Sequence, residues 1–309
     1  MTKPRIAVVG AGAFGQNHCR VVRDSERAEL AAVVDLDPAR GTLTDYRALA
    51  GQVDGAIVSA PTSVHEEIAV FLLEHGIDVL VEKPIAGDLA AAGRMVAAAE
   101  KAGRILQVGH LERFNPAVVE IERRATLPLF FEVHRMNQFS PRSLDVDVVL
   151  DLMIHDVDIV LGMAGAEPEE IRAAGISILS PKVDIANVRL AFANGCVANL
   201  TASRISTERV RKLRLFQPHQ YLSLDYARQD LAIFSVQEGR IGFEQAPVTR
   251  AEPLKLQFDA FLDSMATRNP PKSSGAAARR TLSVALAIID KIGEHSQVVS
   301  QTLASGWKA

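Results

Sequence analysis

Three ionisable side chains lie on one narrow stripe of a helix that the sequence predicts over residues 148–163. At 100° per residue, Asp151, His155 and Asp158 recur at i, i+4 and i+7, and apolar side chains fill most of the remaining surface. Because burial of charge is costly, ionisable groups on an otherwise apolar helix indicate a site for acid–base chemistry. Two alternatives stay open: a core histidine paired with Asp158, or a divalent metal ion, which is less favoured because no second His or Cys shares the stripe.

Lys83 is a further candidate for chemistry, because it stands directly before Pro84 at the end of a strand predicted over residues 79–81. The carboxyl ends of parallel strands face the ligand crevice, so we expect Lys83 to point into it; the alternative is a surface lysine paired with Glu82. With Asp151 and His155 it makes a set suited to hydride transfer. A base removes the alcohol proton, a cation stabilises the alkoxide, and a nicotinamide accepts the hydride.

The elements that position these groups begin with an apolar strand over residues 5–9, which breaks into Gly-Ala-Gly-Ala-Phe-Gly. A G-x-G-x-x-G run that leaves a strand and opens a helix places a dinucleotide pyrophosphate at the helix N-terminus. The residues predicted to bind the cofactor here are Gly10, Gly12, Ala13, Phe14 and Gly15.

The strand that follows, over residues 30–34, ends in Asp35. A carboxylate at this position accepts hydrogen bonds from the adenosine ribose and repels the 2′-phosphate of NADP. Asp35 therefore predicts NAD as the cofactor, in preference to NADP. The alternative is a glycine-rich turn without a ligand, in which Asp35 is only a capping residue.

Length and composition indicate a globular protein of two domains: 309 residues, 48% hydrophobic and 23% charged. The net charge of -3, without a long basic run, disfavours nucleic acid as a partner. We expect neither a signal peptide nor membrane insertion, and predict a cytoplasmic protein. The two cysteines, Cys19 and Cys196, lack metal-ligand spacing and are interpreted as small buried residues.

Strands alternate with helices as far as residue 120, which predicts an NAD-binding domain, 1–120, with a doubly wound parallel α/β sheet of the Rossmann type. Beyond it, short strands joined by hairpin-length turns predict an α+β domain, 121–309, on a mainly antiparallel, open-faced sheet for substrate binding and oligomerisation. Two C-terminal helices, over residues 254–268 and 276–292, can pack back on the first domain.

Taken together, the motifs resemble the Gfo/Idh/MocA dehydrogenases, named for glucose-fructose oxidoreductase and inositol dehydrogenase. The resemblance rests on the glycine run, Ala60-Pro61-Thr62 with His65, Glu82-Lys83-Pro84, Arg113-Phe114-Asn115-Pro116, and the spacing of Asp151 and His155. It implies that His155 is the general base, that Lys83 polarises the reacting hydroxyl, and that Asp151 orients the substrate or His155. It also implies a homodimer or homotetramer formed through the open sheet.

The same resemblance implies two sets of contacts. The cofactor is expected to meet, beyond the glycine run and Asp35, the residues Ala60, Pro61, Thr62, His65, Glu82 and Lys83. The small-molecule substrate, a sugar or a sugar nucleotide, is expected to meet His110, Arg113, Asn115, Arg135, Arg142, Asp147, Asp151 and His155.

A narrower resemblance runs from Arg135 to Asp158, to the branch of the family that oxidises the 3-hydroxyl of UDP-N-acetylglucosamine and so supplies a 3-keto sugar for a transaminase, as in amide-linked lipid A synthesis. It implies a sugar-nucleotide substrate. Arg135 and Arg142 are candidate contacts for its sugar or diphosphate, because arginine binds phosphate through two parallel hydrogen bonds; ordinary solvated charge is the alternative.

The chain departs from the family pattern before and inside the Asp–His motif. Val146-Asp147 and Met153 stand where the family has small residues, and Asp147 is a candidate partner for a sugar hydroxyl.

A free sugar or cyclitol is the alternative substrate. A non-catalytic dinucleotide-binding sensor and a metal-dependent hydrolase are alternatives of other classes, although the hydrolase leaves the glycine run unexplained.

Overall fold

A computed structural model of the chain describes residues 3–139 and 146–304. Two compact units divide the chain: Met1–Phe114 with Ala251–Leu282, and Asn115–Arg250 with Ser283–Ala309. The boundary that the sequence analysis placed near residue 120 lies within a helix of the second unit, Pro116–Arg124.

The first unit is built on a sheet whose described strands are all parallel. Its strands are β1 (Arg5–Val9), β2 (Glu29–Val34), β3 (Gly55–Val58), β4 (Asp78–Val81) and β5 (Leu106–Val108), in the order β2-β1-β3-β4-β5. Between them run α1 (Ala13–Arg23), α2 (His65–Glu74) and α3 (Leu89–Ala102). Strands β3, β4 and β5 are buried along their whole length, which explains their near-continuous runs of apolar residues.

The second unit begins with α4 (Pro116–Arg124) and contains a larger sheet. Its described strands are β6 (Phe130–Met136), β7 (Pro168–Ile176), β8 (Ile185–Phe192), β9 (Val197–Ser203), β10 (Val210–Gln217), β11 (Gln220–Asp225), β12 (Asp230–Gln237) and β13 (Arg240–Gln245). They lie in the order β13-β12-β11-β10-β6-β9-β8-β7, antiparallel except for the pair β6 and β9. Between β6 and β7 the chain forms a π-helical turn, Val149–Met153, which continues into α5 (Ile154–Ala164).

Side chains alternate across this second sheet. Phe131, Val133 and Leu215 belong to the buried core of the unit, which also includes apolar residues of α4 and α5. The opposite face carries a row of five aromatic rings, which we call the aromatic ladder, with one ring on each of five strands that are neighbours in the sheet. It consists of Phe130, Phe216, Tyr221, Phe234 and Phe243, with neighbouring ring centroids 4.8 to 5.7 Å apart.

Two helices close the described chain, α6 (Pro253–Thr267) and α7 (Gly275–Ala304). Helix α6 belongs to the first unit, where Phe258 and Phe261 join the core beside β1, whereas α7 begins in the first unit and ends in the second. No helix in residues 3–139 or 146–304 has an apolar stretch long enough to cross a membrane. The predicted fold class, a Rossmann-type parallel sheet followed by a mainly antiparallel open-faced sheet, is confirmed.

Candidate active site

The glycine run forms the turn between β1 and α1, and Gly10 is the position in it that leaves no room for a side chain beside Ala60. Gly10 has a φ of +91°, and a Cβ on it would lie 2.6 Å from the backbone nitrogen of Ala60. Gly12 is the N-cap of α1, and a Cβ there would meet nothing within 4 Å. The helix N-terminus therefore opens onto free space at Gly12, which fits the pyrophosphate of a dinucleotide. Beside it lie Ala13 and Phe14, both exposed.

The Asp35 carboxylate is tied to this turn at the end of β2. Its Oδ2 accepts a hydrogen bond from the Ala11 N–H at 2.7 Å, and its Oδ1 accepts one from the Asp37 N–H at 2.9 Å. These donors, Asp37 first, hold the pKa of Asp35 below its ordinary value although partial burial raises it. The carboxylate lines a cavity of about 240 Å³ together with Gly10, Tyr46 and Pro61. A negatively charged carboxylate at this position fits an adenosine ribose whose 2′-hydroxyl is free to donate a hydrogen bond.

His65 connects the loop after β3 with the loop after β4. Its Nε2 lies 2.9 Å from the carbonyl oxygen of Ala60, and its Nδ1 lies 3.1 Å from that of Pro84. The ring is only 1% exposed, and burial lowers the pKa of His65 despite these carbonyl groups, which act to raise it. His65 thus connects the two loops that contain Thr62 and Lys83, both of which are expected to bind the cofactor.

Glu82 fixes the backbone from which Lys83 projects. One carboxylate oxygen, Oε1, lies 2.8 Å from Nε2 of His18, and the other accepts a hydrogen bond from the Lys83 N–H at 3.3 Å. His18 is 1% exposed. A Cβ on Gly109 would lie 2.6 Å from Oε2 of Glu82, so only glycine leaves room for the carboxylate. Backbone and imidazole together therefore hold Glu82, and through it the start of the cis peptide bond between Lys83 and Pro84.

Asp151 and His155 lie on two different kinds of helical turn. Asp151 belongs to the π-helical turn, where its N–H donates to the carbonyl of Asp147 at 2.9 Å, and His155 is in the first turn of α5. Both are half-buried, whereas Asp158 is 1% exposed. The segment expected to be helical over residues 148–163 is helical over residues 149–164, but its first turn is a π turn and not an α turn, so Asp151 and His155 do not keep the α-helical spacing on which the expected stripe was based. A π turn changes the angle between successive side chains, and such turns are frequent at functional sites.

Asp147 stands at the entrance to the π-helical turn. Its Oδ1 accepts a hydrogen bond from the Val149 N–H at 3.1 Å. Burial raises the pKa of Asp147, although the N–H groups of Val149 and Val183 and the charge of Arg204 act to lower it. Met153, where the family has a small residue, is fully buried in the core of the second unit.

Two of the residues expected to bind substrate have partners within the second unit. Arg135 is 2% exposed and donates two hydrogen bonds to the carboxylate of Asp156, at 2.7 and 2.8 Å. Asn115, also 2% exposed, caps α4 by accepting from the Ala117 N–H and donates to the carbonyl of Tyr226 at 3.0 Å. These contacts favour supporting roles for both, because their polar atoms already serve the fold.

The remaining candidates lie after β5 or outside the described residues. His110, 2% exposed, follows β5, and Arg113 lies half-buried in a short helical turn, Leu111–Phe114, where its carbonyl accepts from Lys272 Nζ. Arg142 is in the part of the chain outside the described residues. Among the described residues, no three His, Cys, Asp or Glu side chains are grouped to hold a metal ion.

Each unit thus contributes its own part of the expected catalytic set, Lys83 in the first unit and Asp151 with His155 in the second. Sequence reasoning missed the supporting side chains His18 and Asp156. Their partners are 64 and 21 residues away along the chain, so no local pattern connects them.

Known proteins resemble this chain in sequence and in structure. It is 32% identical over 303 residues to a UDP-N-acetylglucosamine 3-dehydrogenase from Acidithiobacillus ferrooxidans, a match that covers 93% of this chain and 97% of that protein. A solved structure of UDP-N-acetylglucosamine 3-dehydrogenase from the same organism matches with a TM-score of 0.90 at 31% identity, over 96% of this chain and 99% of that one. An inositol 2-dehydrogenase from Acidothermus cellulolyticus is 30% identical over 190 residues, which are 55% of this chain and 56% of that protein.

Two family models match consecutive parts of the chain. Residues 4–110 match the oxidoreductase family with an NAD-binding Rossmann fold, and residues 115–217 match the GFO/IDH/MocA C-terminal domain. The predicted cofactor, NAD, and the predicted enzyme class are confirmed by these matches. The chain belongs to the GFO/IDH/MocA family of NAD-binding oxidoreductases.

Proposed function

We propose that this oxidoreductase oxidises the 3-hydroxyl of UDP-N-acetylglucosamine, or of a related UDP-sugar, to a ketone. The supporting observation is the similarity to UDP-N-acetylglucosamine 3-dehydrogenase along nearly the whole of both chains, whereas the similarity to inositol 2-dehydrogenase covers about half. The substrate-binding half of the chain is therefore included in the first match.

In the proposed reaction, NAD supplies the acceptor for the hydride that leaves the sugar carbon. An imidazole nitrogen of His155 takes the proton of the reacting hydroxyl, and the Lys83 ammonium stabilises the negative charge that develops on that oxygen. Asp151 orients the sugar or the His155 ring. The carbon thus loses a hydride and its hydroxyl a proton, which leaves a ketone, NADH and a protonated base.

The cofactor is held, in this proposal, by groups of the first unit. The N-terminus of α1 at Gly12 would hold the pyrophosphate, and Asp35 would accept hydrogen bonds from the ribose hydroxyls. Ala60, Pro61 and Thr62 would also bind the cofactor, on a loop supported by His65. Glu82, which contacts His18, would position Lys83 through the Lys83 N–H.

The alternative substrate, a free sugar or cyclitol, is favoured by the match to inositol 2-dehydrogenase. A free sugar would leave the basic side chains of β10, which are Arg211, Lys212 and Arg214, without a diphosphate to bind. Arg214 already pairs with Glu132 at 2.7 Å, which is compatible with this alternative. A non-catalytic sensor is disfavoured because Lys83, Asp151 and His155 are all present.

The test is an assay of NADH absorbance and a thermal-shift measurement with NAD, across UDP-N-acetylglucosamine, related UDP-sugars, UDP alone and free sugars. A ligand that binds only the native state raises its stability, so we expect stabilisation and NADH formation with one UDP-sugar. Oxidation of an inositol or aldose without any response to UDP compounds would support the alternative substrate. Stabilisation by NAD without turnover on the whole panel would support the sensor.

We also propose that the aromatic ladder pairs with a second copy of this chain. Phe243 is 62% exposed and Phe216 is 37% exposed, and Ile241 and Val236 next to them are exposed as well. A contiguous apolar face of this kind marks an interaction surface. A second identical face would cover it symmetrically, as most homo-oligomers do.

A further inference from the structure

Arg135 and Asp156 form a buried ion pair directly beside the proposed general base. The guanidinium Nε donates to Oδ2 of Asp156 at 2.7 Å and one Nη donates to Oδ1 at 2.8 Å. Both side chains are 2% exposed. The Tyr226 ring, itself 3% exposed, covers the guanidinium, with the Arg135 Cζ 4.9 Å from the ring centroid.

Stability does not explain this pair. Two charges that leave water lose hydration that their mutual attraction only partly restores, and apolar replacements of similar volume are often neutral or stabilising. Phe131, Val133 and Val157, all at most 1% exposed, belong to the apolar core of the same unit. What the pair adds is geometry, because two parallel hydrogen bonds fix both the distance and the rotation of the carboxylate.

The orientation of the Asp156 carboxylate matters because Asp156 lies next to His155 and close to the π-helical turn. Asp156 follows His155, in the first turn of α5, and the π-helical turn that carries Asp151 comes immediately before. A π turn holds one residue more than an α turn between its hydrogen-bonding partners, so the segment has an α-helical alternative. In that alternative, the side chains after the turn are rotated by about 100° about the helix axis relative to the side chains before it. The orientation of the Asp151 side chain relative to that of His155 would then change.

The segment is anchored on its other side as well. Arg204, 5% exposed, donates to the carbonyls of Val146 and Val183. Asp147 caps the N–H of Val149. Arg204 and Asp147 therefore hold the start of the π-helical turn, and Arg135 holds Asp156, three residues beyond the end of that turn.

We propose that Arg135 and Asp156 are positioning residues that set the rotation of α5, so that the π-helical turn presents Asp151 and His155 together. This role replaces the substrate contact expected for Arg135. The inference rests on the proposed function in one respect, the catalytic use of Asp151 and His155.

The test compares Arg135→Met/Asp156→Leu with wild type and with Arg123→Met/Glu120→Leu. The control removes a two-bond arginine–carboxylate pair, at 3.0 and 2.8 Å, from α4, and it also removes the contact of Glu120 with Arg124, which keeps Glu244 as a partner. We expect the Arg135/Asp156 double variant to keep a melting temperature close to that of wild type. Its kcat should fall at least tenfold with little change in the KM for NAD, and amide hydrogen exchange over residues 149–158 should become faster. The control should change neither kcat nor the amide exchange over residues 149–158.

Arg135→Lys is the second variant, because it keeps the charge but not the planar two-bond contact. A kcat below that of wild type, together with faster amide exchange over residues 149–158, supports positioning even if the double variant does not fold. Wild-type kcat and wild-type exchange in either variant would overturn the proposal.

Hydrogen exchange also separates the two proposals. If the wild-type chain oxidises no UDP-sugar, the proposed function fails, but faster exchange over residues 149–158 in the double variant still supports positioning of the turn. If UDP-sugar oxidation is found and exchange is unchanged in both variants, the proposed function stands and the positioning role fails.

Discussion

The proposed chemistry depends on a few side chains, each acting through one charge or one proton. We predict that Lys83→Ala and His155→Ala each lower kcat by a factor of roughly 10² to 10⁴, the range typical of a lost acid–base or electrostatic contribution. NAD affinity, measured by fluorescence titration, should change little in either variant. Loss of NAD binding with equal loss of kcat would assign these residues to the cofactor site instead.

Asp35 combines two roles that a suitable variant can separate. The carboxylate accepts from the Ala11 N–H and carries the charge expected to repel a 2′-phosphate. Asp35→Asn keeps one acceptor oxygen, for the Ala11 N–H, but loses the acceptor for the Asp37 N–H and the charge, so we expect the NADP to NAD ratio of kcat/KM to rise roughly tenfold or more. Asp35→Ala, which also loses the acceptor, should weaken both cofactors. An unchanged ratio in Asp35→Asn would show that another group discriminates.

Asp147 should reduce stability at neutral pH. Because burial raises its pKa above 3.8 in the folded state, the folded chain binds more protons than the unfolded chain between 3.8 and the raised value. Its contribution to stability therefore falls as the pH rises through that window. Asp147→Asn keeps the cap on Val149, so we expect its melting temperature to rise by roughly 2 °C or more at pH 8 and by less at pH 4. An equal gain at both values would exclude the buried charge as the cause.

At the scale of elements, the loops after β4 and β5 position Lys83 by close packing. Gly109→Ala would place a Cβ 2.6 Å from the Glu82 carboxylate, so Glu82 must move and Lys83 with it. We expect kcat to fall by up to about a hundredfold, as small misplacements of catalytic groups do, with a smaller effect on the KM for NAD. Gly87→Ala is the control on the loop after β4, which also carries Lys83, because its Cβ would meet nothing within 4 Å. Equal kinetics for the two variants would contradict the role of Glu82.

At the scale of the whole molecule, the aromatic ladder should decide the oligomeric state. We predict that Phe243→Glu, which buries a charge if the face pairs with a second copy, lowers the mass measured by light scattering after gel filtration. Ile178→Glu is the matched control, since Ile178 is 60% exposed, similar to Phe243, and is not part of the ladder. A wild-type monomer, or an unchanged mass for Phe243→Glu, would remove this interface.

The sequence by itself determined the features that depend on neighbouring residues. The Gly10 turn, the parallel alternation of strands and helices and the pattern of the second sheet follow from local backbone freedom and hydrophobic period, so they could be predicted. Two strands, β7 and β13, lack such a local pattern and could not be predicted from it. Strand β7 carries Glu169, Glu170 and Arg172 on a sheet edge, and β13 is exposed throughout, so neither shows a buried alternating pattern.

The tertiary structure alone decided which distant groups support the candidate site. His18 meets Glu82, and Arg135 meets Asp156, only because separate elements pack together, and a buried polar group takes whatever partner that packing provides. In the positioning role proposed above, the π-helical turn at Asp151 likewise depends on side chains outside the helix, Arg204 at Val146 and Arg135 at Asp156. The sequence could name Asp151 and His155 as candidates because their types and spacing are local. How they are aimed is set by the packing of the second unit, which no pattern within one helix contains.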